Sequence, residues 1–571
     1  MDKKEIARML ETIADMMEIR GENSFKCNAH RNAARVLDGL EEPLDQLIAA
    51  GRLTELKGIG ESLARKIIEM HQTGHSTVYE HLCAEIPESV LEMLSITGFG
   101  PKKAKAVWEK LGIKTIGELE YACLENRLVE LPGFGEKTQE KLLKAIAFHK
   151  KQAGRFLCNV AWETGMGFLE HLRKHKKTFL AEVAGSLRRR KEIVGDIDLL
   201  AASDSPDAVM DHFLKSPGIE EVLAHGPTKS SLRMESGIQV DLRIVAREEF
   251  PFALNYFTGS KDHNTALRGR AKRMSFKLNE YGLFPGDSEH SEKCSDEAAI
   301  YKRLGLAYIE PELRENMGEI EAAEKGALPR LVAEDDMKGL VHVHSTWSDG
   351  KLTIEQMARA AKKRGYEYVA ICDHSRSAAY AHGLTPERVA EQHKEIDALN
   401  KAGLGICILK GTEVDILGDG SLDFDDKVLR RHDLVIASIH SRFNLARDEQ
   451  TKRLLTALAH PAVHMIGHPT GRLLLSREGY DVDLDALIEA AAKHRKIIEL
   501  NAHPYRLDLD WRYCIRAARK GVRISINPDA HSEGEIDYVR YGVGIARKGW
   551  YEAPGVANAA PLEEFLRILR G

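Results

Sequence analysis

The chain has 571 residues, 43% of them hydrophobic and 30% charged, which at roughly 150 residues per domain predicts about four compact units of ordinary globular composition. That excludes a collagen-like, mucin-like or largely disordered chain, and no apolar run reaches the roughly 18 residues of a transmembrane helix. The net charge is −5, with 34 basic against 35 acidic residues after position 330 and 48 against 52 before it. A nucleic-acid partner therefore requires local patches and backbone amides, because overall charge does not supply one. The opening residues show neither a long apolar core nor a small-residue cleavage site. The eight cysteines include no CxxC pair, so they read as reduced, mostly buried thiols and predict a cytoplasmic location.

Residues 1–150 read as helices separated by glycine punctuation. Leu56-Lys-Gly-Ile-Gly60, Ile96-Thr-Gly-Phe-Gly100 and Leu131-Pro-Gly-Phe-Gly135 repeat one pattern every 35 to 40 residues. Each repeat precedes a polar helix start and an apolar-periodic helix, the pattern of a helix-hairpin-helix. The Gly58/Gly60, Gly98/Gly100 and Gly133/Gly135 pairs offer backbone amides at helix N-termini and let a phosphate approach closely. With Lys102, Lys103 and Lys137 nearby, the three copies predict sequence-independent DNA-backbone binding.

Between about 155 and 320, strand-like runs appear at 180–185, 193–201 and 238–246. Asp196 and Asp198, at i and i+2 of one strand, share a face, and Asp241 alternates on another. Three carboxylates on adjacent strands can hold two divalent ions, activating a primer 3′-hydroxyl and stabilising pyrophosphate; Mg2+ or Mn2+ suits such oxygen ligands. Upstream, Gly185-Ser-Leu-Arg-Arg189 supplies a tight turn, a hydroxyl and guanidinium groups for a triphosphate, while Arg188 and Arg190 read as solvated surface. Downstream stand Tyr256-Phe-Thr-Gly-Ser260, Asn264 and Arg268.

In this order, over about residues 1–315, the set resembles the family X DNA polymerases, the group of DNA polymerase beta. The resemblance implies Asp196, Asp198 and Asp241 as metal ligands, and Gly185, Ser186 and Arg189 at the triphosphate. It places Tyr256, Phe257 and Gly259 in the sugar-selecting segment, Asn264 at the base edge and Arg268 on the template. Gln239 stands where vertebrate repair members often carry arginine. Lys66 falls where some members carry a Schiff-base lysine, but Ser62 replaces a lysine of the lyase members. Lys66 therefore reads as an exposed phosphate-binding residue.

The segment 321–336 reads as a linker long enough to permit movement. Beyond it, candidate strands at 339–344, 368–372, 405–410, 434–439, 463–467, 496–500 and 522–526 alternate with helical patterns, predicting a (β/α) barrel. Thirteen of the 24 histidines lie after position 330, many directly after a strand, on the rim where barrel active sites sit. The pattern resembles the PHP (polymerase and histidinol phosphatase) phosphoesterase domain, implying a distorted (β/α)7 barrel. By this resemblance His342, His344, Asp349, His374, Glu413, His440, His468, Asp529 and His531 hold about three ions, Mn2+, Zn2+ or Fe2+. Arg442 would hold a phosphate oxygen, Asp373, His382 and His503 are further substrate contacts, and His460 and His464 are structural.

The predicted architecture is multidomain: an N-terminal helical domain at 1–85, a helix-hairpin-helix subdomain at 86–152 and an α+β nucleotidyltransferase palm at 153–252. A nucleotide-selection thumb at 253–320, the linker and the barrel at 337–571 follow. Taken with the resemblance, this predicts a monomeric enzyme that takes gapped or primer-template DNA and dNTPs, fills gaps in repair and resects 3′ ends through the barrel, with action at abasic sites or blocked ends. The alternatives are a barrel phosphatase of a small monoester and a non-catalytic DNA-end scaffold.

Overall fold

The computed structural model describes residues 1–571 apart from 2, 39, 41–43, 97, 130, 151–153 and 571, and apart from the side chains of 4, 38, 148–150 and 380. It divides into two compact units, Met1–Lys150 and Lys151–Gly571. The boundary expected at 152 lies outside the described residues. Among the described residues no helix is long and apolar enough to cross a membrane, and all eight cysteines are free.

The first unit is helical. Its opening helix, Lys3–Arg20, carries Ile6, Leu10, Ile13 and Met17 at i, i+4, i+7 and i+11, one continuous apolar stripe. Ile6 and Leu10 enter a core with Leu37, Leu63 and Ile67. Ile13 and Met17 enter another, with Phe99, Val107, Phe134 and Ile146. The same helix thus spans the division expected at residue 85. The three glycine motifs fold alike: Ile59, Phe99 and Phe134 are buried, and their amides donate to the carbonyls of Leu56, Ile96 and Leu131.

The second unit contains, after the helix Cys158–Lys174, a five-stranded sheet of β1 (Leu180–Val183), β2 (Asp196–Ala202), β3 (Ile219–His225), β4 (Lys229–Met234) and β5 (Gln239–Val245), in the order β1-β2-β5-β4-β3. Only β2 and β5 run parallel; the other pairs are antiparallel. Strand β3 escapes sequence reading because it is a largely exposed edge with no apolar alternation. Helices Phe250–Thr258 and Lys261–Arg273 follow the sheet and bring a second cluster of side chains to it.

Seven parallel strands then form a barrel sheet in sequential order: β6 (Gly339–Val343), β7 (Tyr368–Ile371), β8 (Cys407–Asp415), β9 (Leu434–Ser438), β10 (Met465–Ile466), β11 (Ile497–Asn501) and β12 (Ile524–Asn527). A parallel bridge between Val343 and Ala530 links the first strand to the chain just beyond the last. The strands are buried on both faces, as near-continuous apolar runs require. The segment expected as a linker is docked: Val332 is buried, its amide donates to the Tyr551 carbonyl, and Leu331 bridges Glu552. Its apolar side chains Leu328, Leu331 and Val332 pack into the unit, which a free tether does not do.

Candidate active sites

On the five-stranded sheet, β2 and β5 pair with Asp198 opposite Asp241, and Asp196 shares their face two residues back. Burial, then the charges of Asp196 and Asp241, push the Asp198 carboxyl up to about 6, and burial with Asp241 raises Asp196. Carboxylates that resist ionising together in a cleft are stabilised by a cation, and an all-oxygen donor set fits Mg2+ or Mn2+. Gly185 is required here for two reasons. Its φ is +62°, and a Cβ on it would stand 2.0 Å from Asp198 Oδ2. Asp241 accepts from Gln239 Nε2 at 2.8 Å and lies 3.7 Å from Lys229 Nζ, so the glutamine at the departure from the vertebrate pattern steadies the third aspartate.

The two upstream aspartates open onto a cleft of ≈ 370 Å³ lined also by Gly185, Ser186, Arg189, Tyr256, Phe257, Gly259, Asn264 and Arg268. It therefore gathers every residue assigned to the nucleotide from sequence, together with the template residue and with Lys261, which the sequence reading missed. Asn264 Nδ2 donates to the Tyr256 carbonyl at 2.7 Å, tying the helix Lys261–Arg273 to the aromatic segment. Tyr256 and Phe257 meet edge-to-face. The Arg189 guanidinium is partly engaged, with Nε 3.0 Å from Glu315 Oε1 and Nη1 donating to the Thr258 carbonyl. Arg188 and Arg190 are not solvated surface. Arg188 makes a bidentate pair with buried Glu297, and Arg190 lies 3.6 Å over the Trp162 ring. Neither partner is close in sequence, so neither contact has a local signal.

In the first unit Gly58, Gly98 and Gly133 have φ of +104°, +82° and +89°, a region side-chain-bearing residues avoid. Gly60 and Gly100 cap the next helices, and a Cβ at Gly60, Gly100 or Gly135 would meet nothing within 4 Å; those three turns stand open to a phosphate. Only the helix after Gly100 has no acidic residue in its first turn, where the other two carry Glu61 and Glu136. Lys102 there is exposed, and Lys103 donates to the Gly98 carbonyl. Lys66 is not an exposed lysine: it is half-buried, with Nζ 2.9 Å from His30 Nε2, and burial lowers its pKa.

The barrel's nine expected ligands converge at the C-terminal ends of its strands. Three groups of donor atoms lie within ion-binding distance of one another: His344, Asp349, His374 and His531; His342, His344 and Asp529; His374, Glu413 and His440. His468 Nε2 reaches Glu413 Oε1 at 3.0 Å. His342 Nε2, His344 Nδ1, Asp349 Oδ2 and His468 Nδ1 are buried without a hydrogen bond, a costly state for a polar atom that an ion relieves. Mixed imidazole and carboxylate donors fit Mn2+, Zn2+ or Fe2+. Burial, with His531 and His374, pushes His344 down to about 4, keeping it in the neutral form that can ligate. Burial alone would raise Glu413, but His440, His342 and His374 hold it well below the carboxylate range. His342 and Asp529 hold φ of +60° and +54°, strained backbone of the kind that functional sites retain.

Behind these ligands stand residues that sequence reading missed. His342 Nδ1 donates to Glu499 Oε1 at 2.5 Å, Asn527 donates to the same oxygen, and Glu499 Oε2 accepts from the His468 amide. His440 Nδ1 donates to Asp415, and Asn501 to Asp529. Glu499 could have been found, because a glutamate inside the run Ile497-Ile-Glu-Leu-Asn501 is a charge in a strand buried on both faces. Asp373 is not a substrate contact: it is buried and accepts from Ser345, Ser348 and Gln392, which bind the strand-end loops together. His503 is buried against Tyr538, whereas His382 is exposed. Arg442 is exposed and lies against Gly418. His464 Nδ1 accepts from the Val435 amide, and His460 pairs with Asp426.

Comparison with known proteins matches residues 1–76 to a helix-hairpin-helix domain family, 90–147 to a SAM-like helix-hairpin-helix tandem, 253–315 to the DNA polymerase beta thumb and 341–503 to the PHP domain. The DNA polymerase/3′-5′ exonuclease PolX of Bacillus subtilis is 42% identical over the full length of both chains. DNA polymerase lambda of Rattus norvegicus is 25% identical over 54% of this chain and 56% of its own. A probable phosphatase of Caldicellulosiruptor saccharolyticus is 31% identical over 38% of this chain and 89% of its own.

Proposed function

We propose that this chain, which belongs to the PolX family of DNA polymerase/3′-5′ exonucleases, fills short gaps in DNA at its aspartate cleft and resects 3′ ends at its barrel rim. The observation that carries the reading is the coexistence, on one chain, of three aspartates on paired strands beside a cleft lined by the residues expected at the nucleotide, and of a buried cluster of histidines and carboxylates at the strand ends of the barrel.

In the cleft, Asp196, Asp198 and Asp241 would hold the cations. Bound divalent ions lower the pKa of a primer 3′-hydroxyl and stabilise the leaving pyrophosphate. Ser186, the Gly185 turn and Arg189 orient the triphosphate. Tyr256, Phe257 and Gly259 wall the sugar, with Asn264 fixing the Tyr256 carbonyl, and Arg268 faces the template. At the rim, the nine side chains would hold ions whose chemistry would be activation of a water for attack on phosphorus, while Glu499 and Asp415 orient the imidazoles and Arg442 steadies a phosphate oxygen. The open glycine turns of the first unit bind the duplex backbone. The protein acts as a cytoplasmic monomer, with abasic sites and blocked 3′ ends as further substrates of the rim.

The test is a labelled primer on one-nucleotide-gapped DNA with Mn2+, with and without dNTPs. Extension with dNTPs and stepwise 3′ shortening without them are expected. His342→Ala with His344→Ala should remove shortening alone, and Asp196→Ala with Asp198→Ala should remove extension alone. Shortening that survives the histidine changes refutes the rim assignment, and extension that survives the aspartate changes refutes the cleft. Extension with no shortening turns the barrel toward a phosphatase reading.

A further inference from the structure

Three consecutive residues of the triphosphate-facing loop are seated on the barrel. The Arg189 carbonyl accepts from Lys548 Nζ at 3.1 Å. Arg190, at φ +55°, packs against Gly544, where a Cβ would stand 3.3 Å from its Cδ. Lys191 Nζ lies 5.7 Å over the ring of Trp511. Lys548 ends the helix Val539–Lys548, its side chain is fully buried, and Trp511 sits 4.7 Å beneath its ammonium. Glu315, from the thumb segment, receives Lys548 at 2.5 Å, Arg189 at 3.0 Å and Lys191 at 3.7 Å.

We infer that Lys548 is a positioning residue for DNA synthesis: the barrel's buried ammonium neutralises Glu315 and anchors the Arg189 backbone, so that the Arg189 guanidinium stays aimed at the triphosphate of an incoming dNTP. Glu315 alone would bind Arg189 as a full counter-ion and cancel the charge the triphosphate needs. Three cations around one carboxylate leave an excess of positive charge at the loop, and Lys548 is the one that solvent does not screen. Burial disfavours its charge while Glu315 restores it, which makes each residue depend on the other. The barrel is therefore part of the polymerase's nucleotide site as well as a second active centre.

This inference rests on the reading of Arg189 as a triphosphate contact, and the experiment separates the two. Single-nucleotide gap filling is measured on full-length wild type, Lys548→Met, Lys548→Arg, Lys548→Met with Glu315→Gln, and Arg189→Ala, with 3′ resection by the same preparations reporting the fold. Lys548→Met should raise KM for dNTP by about three- to tenfold, the coupling expected between groups of one ion-pair network, with kcat and resection little changed. Lys548→Arg, or removal of the Glu315 charge in the methionine variant, should recover most of the loss. An unchanged KM in Lys548→Met, with Arg189→Ala raising it, overturns the role of Lys548 alone. An unchanged KM in Arg189→Ala overturns the triphosphate reading and this inference with it. If Lys548→Met loses resection as well, the Glu315→Gln pair decides: no recovery of KM means that Lys548 serves only the fold.

Discussion

Replacing Gly185 by alanine is the smallest change that should disable one centre and spare the other. The residue sits at φ +62°, and its new Cβ would lie 2.0 Å from Asp198 Oδ2 and 3.0 Å from Cγ. To reach ordinary contact near 3.4 Å the carboxylate must retreat by about 1.4 Å. It cannot simply rotate to a neutral place, because Asp241 stands opposite and Asp196 two residues back on the same face. A misplacement of about 1 Å in a catalytic group can cost about 10²-fold, so gap filling should fall at least about 10²-fold in kcat, about 2.7 kcal/mol of transition-state stabilisation. The left-handed backbone adds a stability cost of about 1–2 kcal/mol, small enough to keep the chain folded. Single-turnover insertion of one dNTP, with urea unfolding and 3′ resection on the same preparation, measures all three effects. Insertion within about threefold of wild type in a folded variant would show that Asp198 need not sit where the turn places it.

Glu499→Gln keeps the shape but removes the charge that holds His342. Divalent-ion affinity of the barrel and 3′ resection should drop about 10- to 100-fold with gap filling unchanged, and equal titration curves for variant and wild type would contradict the positioning role. Lys102→Ala should weaken gapped-duplex binding uniformly across sequences and reduce the slope of log K against log salt by about one; an unchanged slope, read by fluorescence anisotropy, removes Lys102 from the phosphate contacts. His393 and His432 pack edge-to-face in the barrel wall, and burial pushes them down to about 4 and about 3. Their folded pKa values lie below the unfolded value of about 6.5, so the unfolded chain takes up more protons, and the stability they contribute is intact above about pH 6.5 and lost as pH falls toward 4. The midpoint of thermal unfolding should fall across that window, less steeply in His393→Gln/His432→Gln, and identical slopes would dismiss the pair.

The gathering of residues at both centres was legible because it follows strand periodicity. Asp196 and Asp198 two apart on β2, and histidines within three residues of the ends of β6, β7, β9 and β10, are placed by the rule that strand side chains alternate and that barrel strand ends meet at one rim. The three glycine turns were legible because only glycine tolerates the φ that Gly58, Gly98 and Gly133 adopt. What stayed hidden depends on partners remote in sequence. Arg188 and Arg190 look like any arginines in a basic run until Glu297 and Trp162 arrive beside them. Lys229 reaches Asp241 only through the antiparallel pairing of β4 with β5, and β3 is an exposed edge without a pattern to find.

The reading of 321–336 as a tether failed for a related reason, and the failure changes how the two activities can be coupled. Charge, glycine and proline in that stretch describe a segment without regular structure, but Leu328, Leu331 and Val332 pack into two hydrophobic clusters and dock it. Across the same junction Arg547 pairs with Glu312, Lys548 with Glu315 and Arg472 with Glu192, all largely buried. All three pairs would have to part together for the barrel to swing away from the sheet. The cleft and the rim thus lie in one compact unit, joined by a docked segment and these ion pairs and not by a free tether.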